Sequence, residues 1–282
     1  MIQNFDNVLF HAVNAFSGSR FLDSLADIEE NTNLLKGGLF MAVYCWLWFE
    51  MRGRHDPHRK VLIAMLMASF AALSIARILA HIIPFRIRPM FADPLYHLPS
   101  IAVSPNYERW SSFPSDTAAL FFALAVGVLI LWRAAGLLFL AYTCLWICLP
   151  RLYLGLHYPS DLIGGALVGS ASACLFWWLA RTRLYNRWIG EPALALENRY
   201  PMIFYACAFP LLYEIAIMFA DVRYAMHRSI FLAPAELAAM GIFLLVMLSL
   251  FAAFFWKRAR TNRQAFAPQH DLFGDARDPA TL

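Results

Sequence analysis

Arg151, His157 and Asp161 stand in one stretch, Pro150-Arg-Leu-Tyr-Leu-Gly-Leu-His157-Tyr-Pro-Ser-Asp161. If that segment is helical or turns tightly, the carboxylate reaches the imidazole, fixes its tautomer and supports the cation that forms when the ring attacks. Two other segments carry complementary groups. One runs His81-Ile-Ile-Pro-Phe-Arg-Ile-Arg88-Pro89, with Arg77 one helical turn before His81. The other reads Ser112-Phe-Pro114-Ser115-Asp116-Thr117. A phosphate ligand gives each group a task. Arg88 and Arg151 hold phosphoryl oxygens in bidentate fashion, as Lys cannot. Ser115 lies in the first turn of a helix introduced by Ser112 and Pro114, where unpaired N–H groups and the positive dipole end attract an anion. Each pattern alone is a common loop or helix-start signal; the joint pattern, on one face and in this order, carries the phosphate reading.

The elements that position these groups are membrane helices. Of 282 residues, 61% are hydrophobic and only 15% charged, with a mean hydropathy of +0.54. A soluble domain is about a quarter charged. This composition excludes a disordered chain, a coiled coil and a secreted disulfide scaffold, and the five cysteines all lie in apolar runs, where they act as small hydrophobes. The fold expected is an all-α integral membrane protein with about seven transmembrane helices, near 34–51, 61–84, 113–132, 136–154, 161–180, 202–220 and 235–256. Residues 1–33 are expected as an interfacial N-terminal segment. There Phe5, Val8, Leu9, Val13 and Phe16 form an amphipathic stripe, with an ordinary packed helix as the alternative. The membrane core that carries the three chemical segments spans 34–200, two further helices 201–256 and a polar cytoplasmic tail 257–282. Fourteen of the 23 basic residues fall on one side of this arrangement, which makes that side cytoplasmic and puts the three chemical segments on the other. Glu214 is an intramembrane carboxylate and so a pocket candidate, with a structural hydrogen bond as its other reading. The short sequence His55-Asp-Pro-His58 is not read as a metal site, and no Gly-rich nucleotide loop is present.

The three segments resemble the signature of the type 2 phosphatidic acid phosphatase superfamily, Lys-x6-Arg-Pro, Pro-Ser-Gly-His and Ser-Arg-x5-His-x3-Asp. Arg88-Pro89, Pro114-Ser115 and Arg151, His157 and Asp161 match. His81 takes the Lys slot, Asp116 the Gly slot, Thr117 the second His slot and Pro150 the Ser slot. The resemblance implies that His157 is a nucleophile forming a phosphohistidine, that Asp161 orients it, and that Arg88, Arg151 and Ser115 bind phosphate. Arginines and a helix N-terminus supply the positive charge, so this reading calls for no metal or cofactor. Arg77 is placed to serve where His81, mostly neutral at pH 7, does not, with a helix–helix pair to an acidic side chain as its other reading.

The family's second histidine protonates the leaving group, and the Thr117 hydroxyl is far too weak an acid for that. Asp116 is a replacement acid, although cationic surroundings lower its pKa. Alternatively the leaving group needs no proton, as when a lipid monophosphate leaves from a diphosphate. The expected activity is therefore dephosphorylation of a polyprenyl (undecaprenyl-type) diphosphate at the periplasmic face of a bacterial inner membrane. A phosphotransferase between lipid substrates and a silent lipid-phosphate binder or transporter are the alternatives. The expected partner is a membrane lipid, with no nucleic acid.

Overall fold

The computed structural model describes residues 2–51, 56–93, 96 and 108–229, with positions 238, 242, 245–247 and 249. The chain divides into two compact units, Met1–Val222 and Arg223–Leu282. The expected span at 235–256 and the tail from 257 lie outside the described residues, those single positions apart.

The described elements are helical: α1 (Ile2–Asn14), α2 (Arg20–Asn31), a π-helical turn Leu34–Gly38 running into α3 (Leu39–Glu50), α4 (Asp56–Ile82) and α5 (Pro89–Ala92). After them come α6 (Asp116–Leu131), α7 (Arg133–Tyr142), a π turn Thr143–Cys148, α8 (Leu149–Tyr153) and α9 (Pro159–Leu179). The chain continues through α10 (Arg183–Tyr185), a π turn Asn186–Gly190, α11 (Glu191–Arg199), α12 (Pro201–Ala216) and α13 (Ala220–Ser229). Three of the described helices are long and apolar enough to cross a membrane, Pro57–Ile82, Arg133–Tyr153 and Pro159–Leu179. Asp116–Leu131 and Pro201–Ala216 are shorter apolar helices. The all-helical membrane architecture read from composition therefore stands. Helix α6 starts later than its apolar run because Ser115 is its N-cap, not a residue of its first turn, and accepts the Ala118 N–H at 3.3 Å.

Helices α4, α6 and α9 form the centre. Small residues let them close: a Cβ on Gly165 would lie 2.3 Å from the Ser115 carbonyl oxygen, and one on Gly169 2.2 Å from that of Ala119. The pair is thus internal packing, as its spacing suggests. Around this centre Phe40, Tyr44, Leu62, Met65, Leu120, Phe121 and Leu124 build the main core. At the far end from the chemistry, Arg59 of α4 meets Glu197 of α11 at 2.5 Å in a fully buried pair. Tyr205 donates to the same carboxylate at 2.6 Å, and Trp48 stacks on the guanidinium at 4.0 Å.

The first 33 residues hold two helices, not one. Helix α1 buries Asp6, Phe10 and Asn14, successive residues of one face, against α8 and α9. Of its apolar stripe Phe5, Val8 and Leu9 stay exposed, as does Phe16 beyond the helix end, while Val13 packs against the cluster of Ala26, Tyr153, Leu154 and Leu156. The polar-looking face is the packed one because each of its groups finds a partner in the core of the protein.

Candidate active site

The loop between α8 and α9 presents His157. Gly155, at φ +63°, makes the turn that leads to it, a conformation L side chains rarely take. The Gly155 carbonyl accepts the Met90 N–H at 3.0 Å, tying this loop to α5. The His157 Nδ1–H donates to the Ser112 carbonyl at 2.8 Å. A carbonyl only accepts, so the proton sits on Nδ1 and the Nε2 lone pair is bare. Nη1 of Arg88 faces that Nε2 at 3.4 Å and also donates to the Leu156 carbonyl at 2.7 Å.

Burial lowers the His157 pKa well below the ordinary histidine value, and the Arg88 and Arg151 guanidiniums lower it further. Asp116 and the Ser112 carbonyl pull the other way and do not win. The ring is therefore neutral at pH 7, the form in which an imidazole is a nucleophile.

Asp161 sits at the start of α9, where the sequence put it, but does not touch the imidazole directly: its Oδ2 is 3.9 Å from His157 Nδ1. That oxygen accepts from the Ser112 hydroxyl at 2.5 Å and from the Tyr158 N–H at 2.8 Å. Oδ1 accepts from Arg86 at 2.5 Å. The Asp161 backbone carbonyl takes the Ser115 N–H at 3.0 Å, joining the nucleophile loop to the α6 N-terminus.

Arg86 was not singled out from the sequence. It bridges Asp161, Ser160 at 2.7 Å and the buried Asp6 of α1 at 2.5 Å, with its guanidinium over the Tyr158 ring at 4.3 Å. Asp6 in turn accepts the Ser160 N–H at 2.9 Å and hydroxyl at 2.7 Å, so α1 caps the N-terminus of α9. A signal for Arg86 was present. In the extended stretch before Pro89 alternate residues share a face, and Arg86 and Arg88 turn inward while Phe85 and Ile87 are exposed. Asp6 has no comparable signal, because nothing local says which face of α1 is covered.

The remaining expected residues divide into two sets. Ser115 and Thr117 are buried at the head of α6. Asp116 accepts the Thr117 N–H at 2.7 Å and is ion-paired with Arg77 of α4. Arg77 is thus committed to a helix–helix partner, the second of its two sequence readings. His81 is exposed, and its Nδ1–H donates to the Arg77 carbonyl at 2.7 Å. Arg151 is buried and meets Glu30 at 3.0 Å and Glu29 at 3.9 Å, both from α2. Glu214 lies on α12, half-buried, and no hydrogen bond to its Oε2 is found among the described residues. An apolar cavity of about 530 Å³, lined by Trp48, Leu66, Phe70, Phe204 and Leu212 among others, is separate from these polar groups.

Residues 63–185 match the family model described as the PAP2 superfamily. The chain is 29% identical over 194 residues to YbjG of Escherichia coli (strain K12), provisionally named an undecaprenyl-diphosphatase, covering 66% of this chain and 90% of that protein. It is 33% identical over 88 residues to the bacitracin transport permease protein BcrC of Bacillus licheniformis, 31% of this chain and 43% of that one. Against the lipid A 4'-phosphatase of Bacteroides thetaiotaomicron it is 42% identical over 69 residues, 24% of this chain and 31% of that one. No solved structure matches the chain. The matched segment runs from the first third of α4 through α10 and contains Arg88, Ser115, Arg151, His157 and Asp161. By these residues and this match the chain carries a PAP2 superfamily segment at residues 63–185, and its similarity to proteins named as phosphatases supports a lipid phosphatase.

Proposed function

We propose that the chain hydrolyses a polyprenyl diphosphate at the non-cytoplasmic face of a bacterial inner membrane, with about seven spans carrying the site. The observation that carries the chemistry is the tautomer of His157. Its proton is held by the Ser112 carbonyl, and its bare Nε2 faces the Arg88 guanidinium.

In this reading Nε2 attacks the terminal phosphorus. The P–N bond forms as the bond to the bridging oxygen breaks, and the lipid monophosphate departs with the electron pair. Water then cleaves the phosphohistidine and releases inorganic phosphate and a proton. Arg88 and Arg151, with Ser115 and the N–H groups at the head of α6, hold the charge that builds on the phosphoryl oxygens. Asp161 holds the nucleophile loop. Asp116, Thr117, Arg77 and His81 border the pocket, and Glu214 belongs with the substrate's path rather than with the reacting atoms.

The diphosphate substrate is supported by Thr117: it is buried, its N–H goes to Asp116, and its hydroxyl is no acid for an alkoxide leaving group. The name of the Escherichia coli relative agrees with this choice. The test is turnover of purified protein on a polyprenyl diphosphate and the matching monophosphate, compared as kcat/KM. A clear preference for the diphosphate, and its loss in His157→Ala by about 10³-fold or more, is expected. Equal cleavage of the two lipids, or turnover retained within a few fold by His157→Ala, overturns the reading.

A further inference from the structure

Lys36 is the middle residue of the π turn before α3 and is buried, far in sequence from every segment that the phosphate site was read from. Its ammonium donates to the Glu30 carbonyl at 2.8 Å and stands 3.9 Å from the Glu29 carboxylate. The same Glu29 oxygen is 3.9 Å from Arg151, whose guanidinium meets Glu30 at 3.0 Å. Two cations from separate helices therefore share the carboxylates of α2 next to the nucleophile's own electrostatic surroundings, which include Arg151.

This is a poor arrangement for a purely structural ion cluster. Glu29 is completely buried, and neither of its carboxylate oxygens has a hydrogen-bond partner among the described residues. A buried charge is normally both paired and hydrogen-bonded. Equal separations of 3.9 Å to two cations are those of a loosely held group between them, not of a closed salt bridge.

We infer that Lys36, with Arg151 shared between it and the reacting phosphate, forms a second anion subsite, which receives the lipid-side phosphate of a diphosphate substrate, and that Glu29 and Glu30 occupy it until substrate arrives. The inference rests on the phosphatase reading above. Two carboxylates opposite two cations are charge-balanced, so an entering diphosphate must displace or neutralise them. Burial raises the Glu29 pKa despite Arg151 and Lys36, so this carboxyl takes up a proton more readily than a surface glutamate. His81 cannot provide the second cation, being exposed and hydrogen-bonded to the Arg77 carbonyl. Lys36 also sits beside a membrane-crossing helix: Tyr142, within Arg133–Tyr153, donates to the Leu35 carbonyl. A phosphate bound there has its hydrocarbon chain next to the bilayer, with the terminal phosphate left for His157.

The test is direct binding of inorganic phosphate, inorganic pyrophosphate and farnesyl diphosphate to the detergent-solubilised protein and its variants. Lys36→Met is expected to weaken both diphosphates tenfold or more and orthophosphate less than threefold, with Lys36→Arg restoring most of the loss. Glu30→Gln and Glu29→Gln are expected to tighten both diphosphates. Equal effects on all three ligands, or none, overturn the subsite. If Lys36→Met fails to fold, the glutamate variants decide, and unchanged or weaker diphosphate binding in both overturns it. Pyrophosphate affected without farnesyl diphosphate overturns the assignment to a lipid. Because binding is read without turnover, a protein that binds diphosphates through Lys36 yet cleaves only monophosphates would leave the subsite standing and remove the diphosphatase reading.

Discussion

The proton on His157 Nδ1 goes to the Ser112 carbonyl at 2.8 Å, while the Asp161 carboxylate stands off at 3.9 Å. Asp161 reaches the imidazole through Ser112, whose hydroxyl it accepts at 2.5 Å. The carboxylate and the serine therefore act as one unit. Asp161→Asn and Ser112→Ala are each expected to lower kcat by about 10²-fold, the loss that a displacement of about 1 Å can cause. The double variant should lose little more than the worse single one, because both break the same chain. Full additivity in a double-mutant cycle would show that Asp161 contacts the imidazole independently.

Asp6→Asn tests the same chain from its outer end. It weakens the hold on Arg86 and on the α9 N-terminus without touching the pocket. A tenfold to ~10²-fold fall in kcat with KM within threefold is expected, and Asp6→Glu should recover part of it. A rise in KM at constant kcat would mean that α1 governs access instead.

The depressed His157 pKa has a definite sign for pH dependence. The reactive form is the neutral ring, so the acid limb of kcat/KM should lie well below pH 6.5. Asp116 is one of the groups raising this pKa, so Asp116→Asn should move the limb to still lower pH. For stability the folded value lies below the unfolded one, near 6.5. The unfolded chain then binds more protons between the two, and stability falls as pH drops through that window. A limb near pH 6.5, or one that moves upward in Asp116→Asn, would contradict a buried neutral nucleophile.

Thr117→His should raise monophosphate hydrolysis more than diphosphate hydrolysis. General acid assistance is worth about 10²–10⁴-fold and an alkoxide needs it most. The ratio of the two kcat/KM values cancels uniform changes in binding. An unchanged ratio would mean that another group already protonates the leaving oxygen.

Glu197→Gln should destabilise the fold by about 3–5 kcal/mol, because it leaves Arg59 buried without its counter-charge. Thermal unfolding in detergent reads this. A shift within error would mean that Tyr205 and Trp48 suffice to hold the guanidinium.

The parts of the site legible in the sequence were those set by local order. His157 and Asp161 share one turn, and Ser115 announces a helix start with its own hydroxyl. The helices around them were legible from apolar runs, since a bilayer leaves little choice of backbone. What could not be read was which distant group meets which. Arg77 was open between phosphate and carboxylate, and the structure gives it Asp116. Arg151 was read as a phosphate ligand, and the structure puts Glu29 and Glu30 of α2 against it. The apolar stripe of α1 reads as interfacial or packed, and neither reading names Asp6, Phe10 and Asn14 as the residues that meet the protein. Periodicity reports amphipathicity, and it is silent about partners for isolated buried polar groups.

The hydrogen bonds from Ser160 to Asp6 span 154 residues of chain. During synthesis α1 emerges long before α9 exists. The Asp6 carboxylate then waits without the Ser160 and Arg86 groups it will hold, and loop closure over such a length comes late. The nucleophile loop consequently lacks its α1 support in every nascent chain that ends before Ser160. Full activity therefore waits for the start of the chain to dock on a helix made 154 residues later. Turnover reports that docking, which helix content and membrane association do not.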